Sequence, residues 1–173
     1  HSQLAKSVHA DALCFESENK NSLFVIAPAG ADEEFRFLSY FNGLDIKNGG
    51  SHIDYVLNTI IAELIPSIKR KWKIEVLPNQ IKQHLMFASW IHGFSNPKFD
   101  SQSKERVTNT WGEIKAYVEF DAAKIARKII ATDSIINPMI EAILHKKELA
   151  EKRAANAALK KVQKKKIANH PVA

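Results

Sequence analysis

SHIDYVLNTIIAELIPSIKRKW, residues 51–72, is the stretch on which the fold turns. Its apolar positions are Ile53, Val56, Leu57, Ile60, Ile61, Leu64, Ile65 and Ile68. That spacing lines one face of a helix, and such a face is buried against other structure. Ser51 is placed to cap the start, with Asp54 three residues on as its capping-box partner. Lys69, Arg70 and Lys71 stand at the end, where cations suit the helix dipole. Pro66 predicts a bend or an early end to the regular helix.

Upstream the pattern changes to that of strands. VHADALCFE (8–16) and SLFVIAP (22–28) read as strands, and Pro28-Ala29-Gly30 breaks the second. In EEFRFLSYFNGL, Phe35, Phe37, Ser39 and Phe41 recur at a period of two, the mark of a half-buried strand. Asn42-Gly43 and Asn48-Gly49-Gly50 set turns on either side of LDIK. Downstream, LPNQIKQ predicts a short helical turn and HLMFASWIHGF a strand. GEIKAYVEF alternates Ile114, Ala116, Val118 and Phe120 with polar neighbours, which predicts a solvent-faced strand. DAAKIARKIIAT predicts a short helix. Asn137-Pro138 then opens a long one, with asparagine as cap and proline in the first turn. At 1.5 Å per residue that helix is on the order of 40 Å long. Its apolar positions thin out after Leu149, as in a helix that leaves its domain and leads to another. The expected architecture is α+β or mixed α/β: several strands, an amphipathic helix on one sheet face, and a long exit helix.

With 173 residues, 45% of them hydrophobic and 25% charged, the chain can bury a proper core. A net charge of +6 permits polyanion binding without demonstrating it. The single cysteine, Cys14, rules out an internal disulfide and reads as a packed thiol; the expected location is cytoplasmic. No apolar run reaches the roughly 18 residues that span a bilayer, so no membrane partner is expected. The polar start at His1 carries no signal peptide and suggests a piece of a longer protein, in which half-sites are expected.

Catalytic and metal patterns are thin. His84 and His92, eight apart in a predicted strand, could share a face, but one cysteine and scattered histidines give no zinc spacing. There is no G-x-S-x-G nucleophile elbow. Asn48-Gly49-Gly50 precedes a helix start, where amides can hold phosphate, yet with no Walker lysine a tight turn explains it better. Lys146, Lys147, Lys152, Arg153, Lys160, Lys161, Lys164, Lys165 and Lys166 face only Glu148 and Glu151. Such a run is either a solvated helix face or a set of phosphate contacts. NPKFDSQSKER (96–106) reads as a solvated loop, or as one presenting Gln102 and Lys104 on the same side.

Two blocks decide between these readings. SYFNGLDIKNGGSHIDYVLNTI (39–60) resembles the type IIA DNA topoisomerase pattern of an S-F-x-N-x-I strand followed by G-G-x-H-x-D-Y-V. NPKFDSQSKE, at the family's spacing, resembles its N-P-x-F-x-S-Q-T-K-E loop. AEKRAANAALKKVQKKK is similar to the helix after the same domain in gyrase-type ATPase subunits. The resemblance spans roughly residues 35–165, and the phage enzymes with split large and small subunits look nearest.

The resemblance implies a transducer domain with a fold like the second domain of ribosomal protein S5, including a left-handed βαβ crossover. It implies a core at 1–133 and, at 134–173, a long basic helix leading to the DNA breakage-reunion region. Lys104 matches the switch lysine that reaches the γ-phosphate of ATP, and Gln102 the glutamine on the same phosphate. Ser103 stands where threonine is usual and keeps the hydroxyl. His52, Asp54 and Tyr55 match a signature read as capping and packing. ATP and Mg²⁺ would be bound mainly by a preceding domain, so this chain alone is expected to be inactive. Expected partners are double-stranded DNA, the rest of the subunit and other topoisomerase subunits, dimeric in the full enzyme. DNA-contact candidates are Lys152, Arg153, Lys160, Lys161, Lys164 and Lys165. The alternative is a non-catalytic nucleic-acid-binding module that uses the basic helix.

Overall fold

The computed structural model describes residues 12–29 and 35–168, with side chains on the last helix described as far as Val162. Five strands form one sheet: β1 (Leu13–Glu16), β2 (Ser22–Pro28), β3 (Arg36–Phe41), β4 (Leu44–Asp45) and β5 (Leu85–Ile91). Their order is β1-β2-β5-β3-β4. β1–β2, β2–β5 and β3–β4 run antiparallel, while β3 and β5 are parallel neighbours. Of the expected first strand, residues 8–11 lie outside the described residues.

Parallel neighbours need a crossover. Here it is α1 (Ser51–Trp72) followed by α2 (Pro78–Lys82). Ile53, Val56, Leu57, Ile60, Ile61, Leu64 and Ile68 are buried, as the periodicity requires. The sheet meets this face with Phe24, Ile26, Phe41 and Phe87, all fully buried. Along β3 the inward positions are Phe37, Ser39 and Phe41, while Leu38 and Tyr40 are exposed. At the end of β3, Asn42 receives the Phe94 amide at 2.9 Å and donates to the Phe94 carbonyl at 3.0 Å. Chain leaving β5 is thereby pinned beside the β3–β4 turn.

Four local expectations are corrected. α1 continues through Pro66 to Trp72 and ends on Lys73 in the left-handed region at φ 59°. Ala62 and Pro66 lie on the exposed side, so the carbonyl that loses its donor can be hydrated. Meanwhile Leu64 and Ile68 hold the inner side in register. The residue that caps α1 is Gly50, not Ser51, and no side chain caps the helix. Ser51 instead donates its hydroxyl to the Val107 carbonyl at 3.4 Å.

GEIKAYVEF is helical, not a strand: α3 spans Trp111–Tyr117. Its apolar residues fit both periods, because Ile114 and Val118 are four apart; both are buried, whereas Ala116 is exposed. Thr110 decides the matter by accepting from the Glu113 amide at 3.2 Å, while the Glu113 carboxylate accepts from the Thr110 amide at 3.2 Å. α4 (Ala122–Ala131) follows as expected, capped by Asp121, and lies along α1.

The long helix α5 spans Asp133–Ala168, starting four residues before Asn137, with Pro138 inside it. Buried Ile135, Ile136 and Met139 draw the start back. Pro138 removes one intrahelical bond, and it stands on the exposed side, where the carbonyl left without a donor can be hydrated. The chain divides into two compact units between Met139 and Ile140. The first holds the sheet and α1–α4; the second, as far as it is described, is the remainder of α5. No helix among the described residues is long and apolar enough to cross a membrane.

Candidate functional site

Residues 96–110 leave β5 and form a hairpin before α3. Thr108 donates to the Lys98 carbonyl at 2.8 Å and Asp100 to the Arg106 carbonyl at 3.2 Å, with Phe99 opposite Val107. The other side of Val107 pairs with the glycines that precede α1. Val107 donates to Gly49 at 3.0 Å, Ser51 donates to Val107 at 3.0 Å, and Asn48 donates to Glu105 at 2.8 Å. Val107, fully buried, is thus the middle of a three-stranded patch.

Gly50 makes that approach possible. At φ 138°, a Cβ there would sit 2.3 Å from the Val107 carbonyl oxygen and 2.6 Å from its nitrogen. The two sequence blocks that carry the family resemblance therefore meet at one backbone contact. The same contact answers the Asn48-Gly49-Gly50 question, because the Ser51 amide is engaged by Val107 rather than left for a phosphate.

Asn109 secures the base of the hairpin from inside. It accepts from the Lys98 amide at 2.7 Å and donates to the Asn96 carbonyl at 3.1 Å and the Glu113 carboxylate at 3.2 Å. Lys98 also reaches Glu113 at 3.1 Å. The Glu113 pKa is lowered to about 2, first by the Thr110 amide, then by Lys98, Asn109 and the Thr110 hydroxyl.

The tip differs. Ser101 to Arg106 are all exposed. The Lys104 amide donates to the Ser101 carbonyl at 3.2 Å, closing a turn, and Lys104 takes the left-handed conformation at φ 55°. Ser101 and Ser103 share a hydrogen bond of 2.6 Å, so the hydroxyl at position 103 is used within the loop. The Lys104 ammonium lies 5.9 Å from the Phe99 ring centroid, the outer limit of a cation–π contact. Among the described residues it has no carboxylate partner, and neither does Gln102 have a hydrogen bond.

Beneath the hairpin base lies a buried polar group. His52, fully buried, meets the Ser39 hydroxyl at 2.5 Å through Nε2 and packs on Phe41. Its pKa is lowered to about 3, mainly by burial and then by the charge of Arg106. His52 Nδ1 and the hydroxyl of Ser89, which is paired with Ser39 across the sheet, have no hydrogen-bond partner among the described residues.

The remaining candidates are dispersed. Tyr55 packs edge-on to Trp111 and Phe120, a structural position as expected. His84 and His92 flank β5 at its two ends instead of sharing a face within it, and no metal-binding cluster occurs among the described residues. Lys152, Arg153, Lys160 and Lys161 are exposed on α5; the side chains of Lys164 and Lys165 lie outside the described residues. Arg106, Asn109 and the Gly50–Val107 contact were not singled out from sequence. Thr110-x-x-Glu113 could have revealed α3 as a capping box, whereas nothing local marks Arg106 or Asn109.

The sequence pattern of DNA gyrase B matches residues 3–161. The chain belongs to the DNA gyrase B family. It is 39% identical over 166 residues to the DNA topoisomerase large subunit of Enterobacteria phage T4, covering 96% of this chain and 31% of that protein. It is 33% identical over 103 residues to DNA topoisomerase 2-alpha of Rattus norvegicus, covering 57% of this chain and 6% of that one. The chain thus spans under a third of the length of these relatives. Its fold matches the crystal structure of the ATPase and transducer domains of DNA topoisomerase II from Balamuthia mandrillaris. There the TM-score is 0.70 at 22% identity, over 84% of this chain and 37% of that one. The gyrase B family member described here accordingly shares its fold with that structure, as a mixed α+β unit followed by a long C-terminal helix.

Proposed function

We propose that this chain is the transducer segment of an ATP-dependent type IIA DNA topoisomerase and that Lys104 and Gln102 sense the γ-phosphate. The observation that carries the reading is the contrast within one hairpin. A lysine with no ion-pair partner among the described residues is held out on a turn whose base is stitched into the fold. A neighbouring ATPase domain would hold ATP and Mg²⁺, and Lys104 would complete the site from outside. The lysine meets a terminal phosphate in the ATP state and not equally in the ADP state. That difference in contact is what allows nucleotide to shift the loop between positions. Through Val107 and Gly50 the displacement reaches the start of α1 and hence the sheet. Replacing Lys104 by alanine in the full-length topoisomerase is expected to lower ATP hydrolysis and strand passage together by about tenfold or more. Unchanged hydrolysis with unchanged passage overturns the assignment.

The basic helix supports a second role, contact with duplex DNA. Lys152, Arg153, Lys160 and Lys161 are exposed along it. Their contribution would be independent of base sequence and sensitive to salt. A salt titration of DNA binding, with and without Lys160→Ala and Lys161→Ala, tests it. An unchanged slope excludes these two lysines. Tight, salt-steep binding by this chain alone would favour the nucleic-acid module over the transducer.

A further inference from the structure

We infer that Arg106 is a positioning residue for Lys104, locking the returning leg of the loop onto the first turn of α1. The inference rests on reading the loop tip as nucleotide-sensing. Arg106 follows Lys104 by two residues and reaches back with both arms of its guanidinium, one to the turn before α1 and one to the first turn of α1. One nitrogen donates to the Asn48 carbonyl at 3.1 Å, and the other faces the Asp54 carboxylate at 3.6 Å. Asn48 in turn donates from its side chain to Glu105 at 3.3 Å and from its backbone to the Glu105 carbonyl at 2.8 Å. Glu105 and Arg106 are therefore held from both backbone and side chain. On the outgoing leg, among the described residues, Asp100 binds only through its backbone to Arg106.

The fork geometry matters. A guanidinium can address a carbonyl and a carboxylate at once, whereas an ammonium is a single point charge. Arg106 thus fixes the angle at which the chain leaves Lys104 as well as its distance from α1. Because Asp54 lies in the first turn of α1, a shift of the loop tip is delivered to the helix instead of being absorbed by the hairpin. The pair is half exposed, so its effect on global stability is small, as for most surface ion pairs. Its expected effect lies in the placement of one ammonium group.

The test is a mutant cycle in the full-length topoisomerase, read as kcat and KM for ATP and as thermal stability. Arg106→Ala is expected to lower kcat about fivefold with KM changed by less than about twofold, and Asp54→Asn to follow it in the same direction. Arg106→Lys should recover part of the loss. In a Lys104→Ala background, Arg106→Ala should add less than about a twofold change, because its route runs through the missing lysine. If Lys104→Ala impairs hydrolysis but Arg106→Ala does not, the positioning role is wrong and the sensing reading stands. Equal losses from Arg106→Ala in both backgrounds would also overturn it, by showing an independent route. If Lys104→Ala is itself silent, the sensing reading fails and the positioning role falls with it.

Discussion

The tip and the base of the 96–110 hairpin lie within a few residues of each other and are built on opposite principles. At the base, Val107 is paired on both sides, Asn109 satisfies two backbone groups, and Gly50 lets two backbones touch. At the tip, Gln102 and Lys104 project into solvent with little to hold them. Burying hydrogen-bonded backbone makes the base costly to alter. Leaving a charged group solvated keeps the tip available for a partner of opposite charge. One loop thereby separates what keeps the fold together from what is free to bind.

Substitutions can break that comparison, and the largest effect belongs at the base. Gly50→Val is expected to destabilise the chain by about 4 kcal/mol in urea unfolding, since its Cβ must displace the Val107 backbone. Gly43→Ala is the matched control, because a Cβ there meets nothing within 4 Å and only the left-handed φ of 81° is penalised. Its cost should be near 1 kcal/mol. Equal costs at the two glycines would remove the argument for a rigid base.

Asn109→Ala comes next, at about 2 kcal/mol, because it strands the Lys98 amide and the Asn96 carbonyl. A cost within about 0.5 kcal/mol of zero would mean that water replaces the side chain.

His52 sharpens the comparison through pH. Its folded pKa of about 3 lies below the ordinary value of 6.5, so the unfolded chain binds the proton more readily. Stability from this group is complete above pH 6.5 and falls as pH drops toward 3. The expected loss at pH 5 relative to pH 8 is about 2 kcal/mol. His52→Gln should flatten that slope; an unaltered slope would assign the acid sensitivity elsewhere. Glu113 acts in a lower window, its stabilisation fading as pH falls from 4.5 toward 2.

The smallest stability effect belongs at the tip. Lys104→Ala should leave the unfolding midpoint unchanged to within about 0.5 kcal/mol. A larger loss would mean that the tip is structural after all.

Much of this was legible in the chain, for reasons that differ by element. The face of α1 was plain because eight apolar residues repeat over about four and a half turns with no competing period. β3 was plain because its inner and outer residues alternate. α3 was misread because Ile114 and Val118 satisfy a period of two and a separation of four alike. Only the Thr110 cap separates the two outcomes. Pro66 and Pro138 were given too much weight: proline weakens a helix locally, but burial on the opposite face can carry the helix past it. Gln102 and Lys104 were singled out through resemblance, since chemistry alone left an ordinary loop open.

By itself, the sequence determined the amphipathic helix, the strands around it, the glycine turn and the polar loop, because each is encoded by residues close together along the chain. Only the tertiary structure decided that Gly50 lies against Val107, that Arg106 reaches Asp54 and Asn48, and that His52 is buried and neutral beneath them. Those contacts join residues about 50 or more positions apart, or depend on what excludes water from a side chain, and local periodicity carries information about neither.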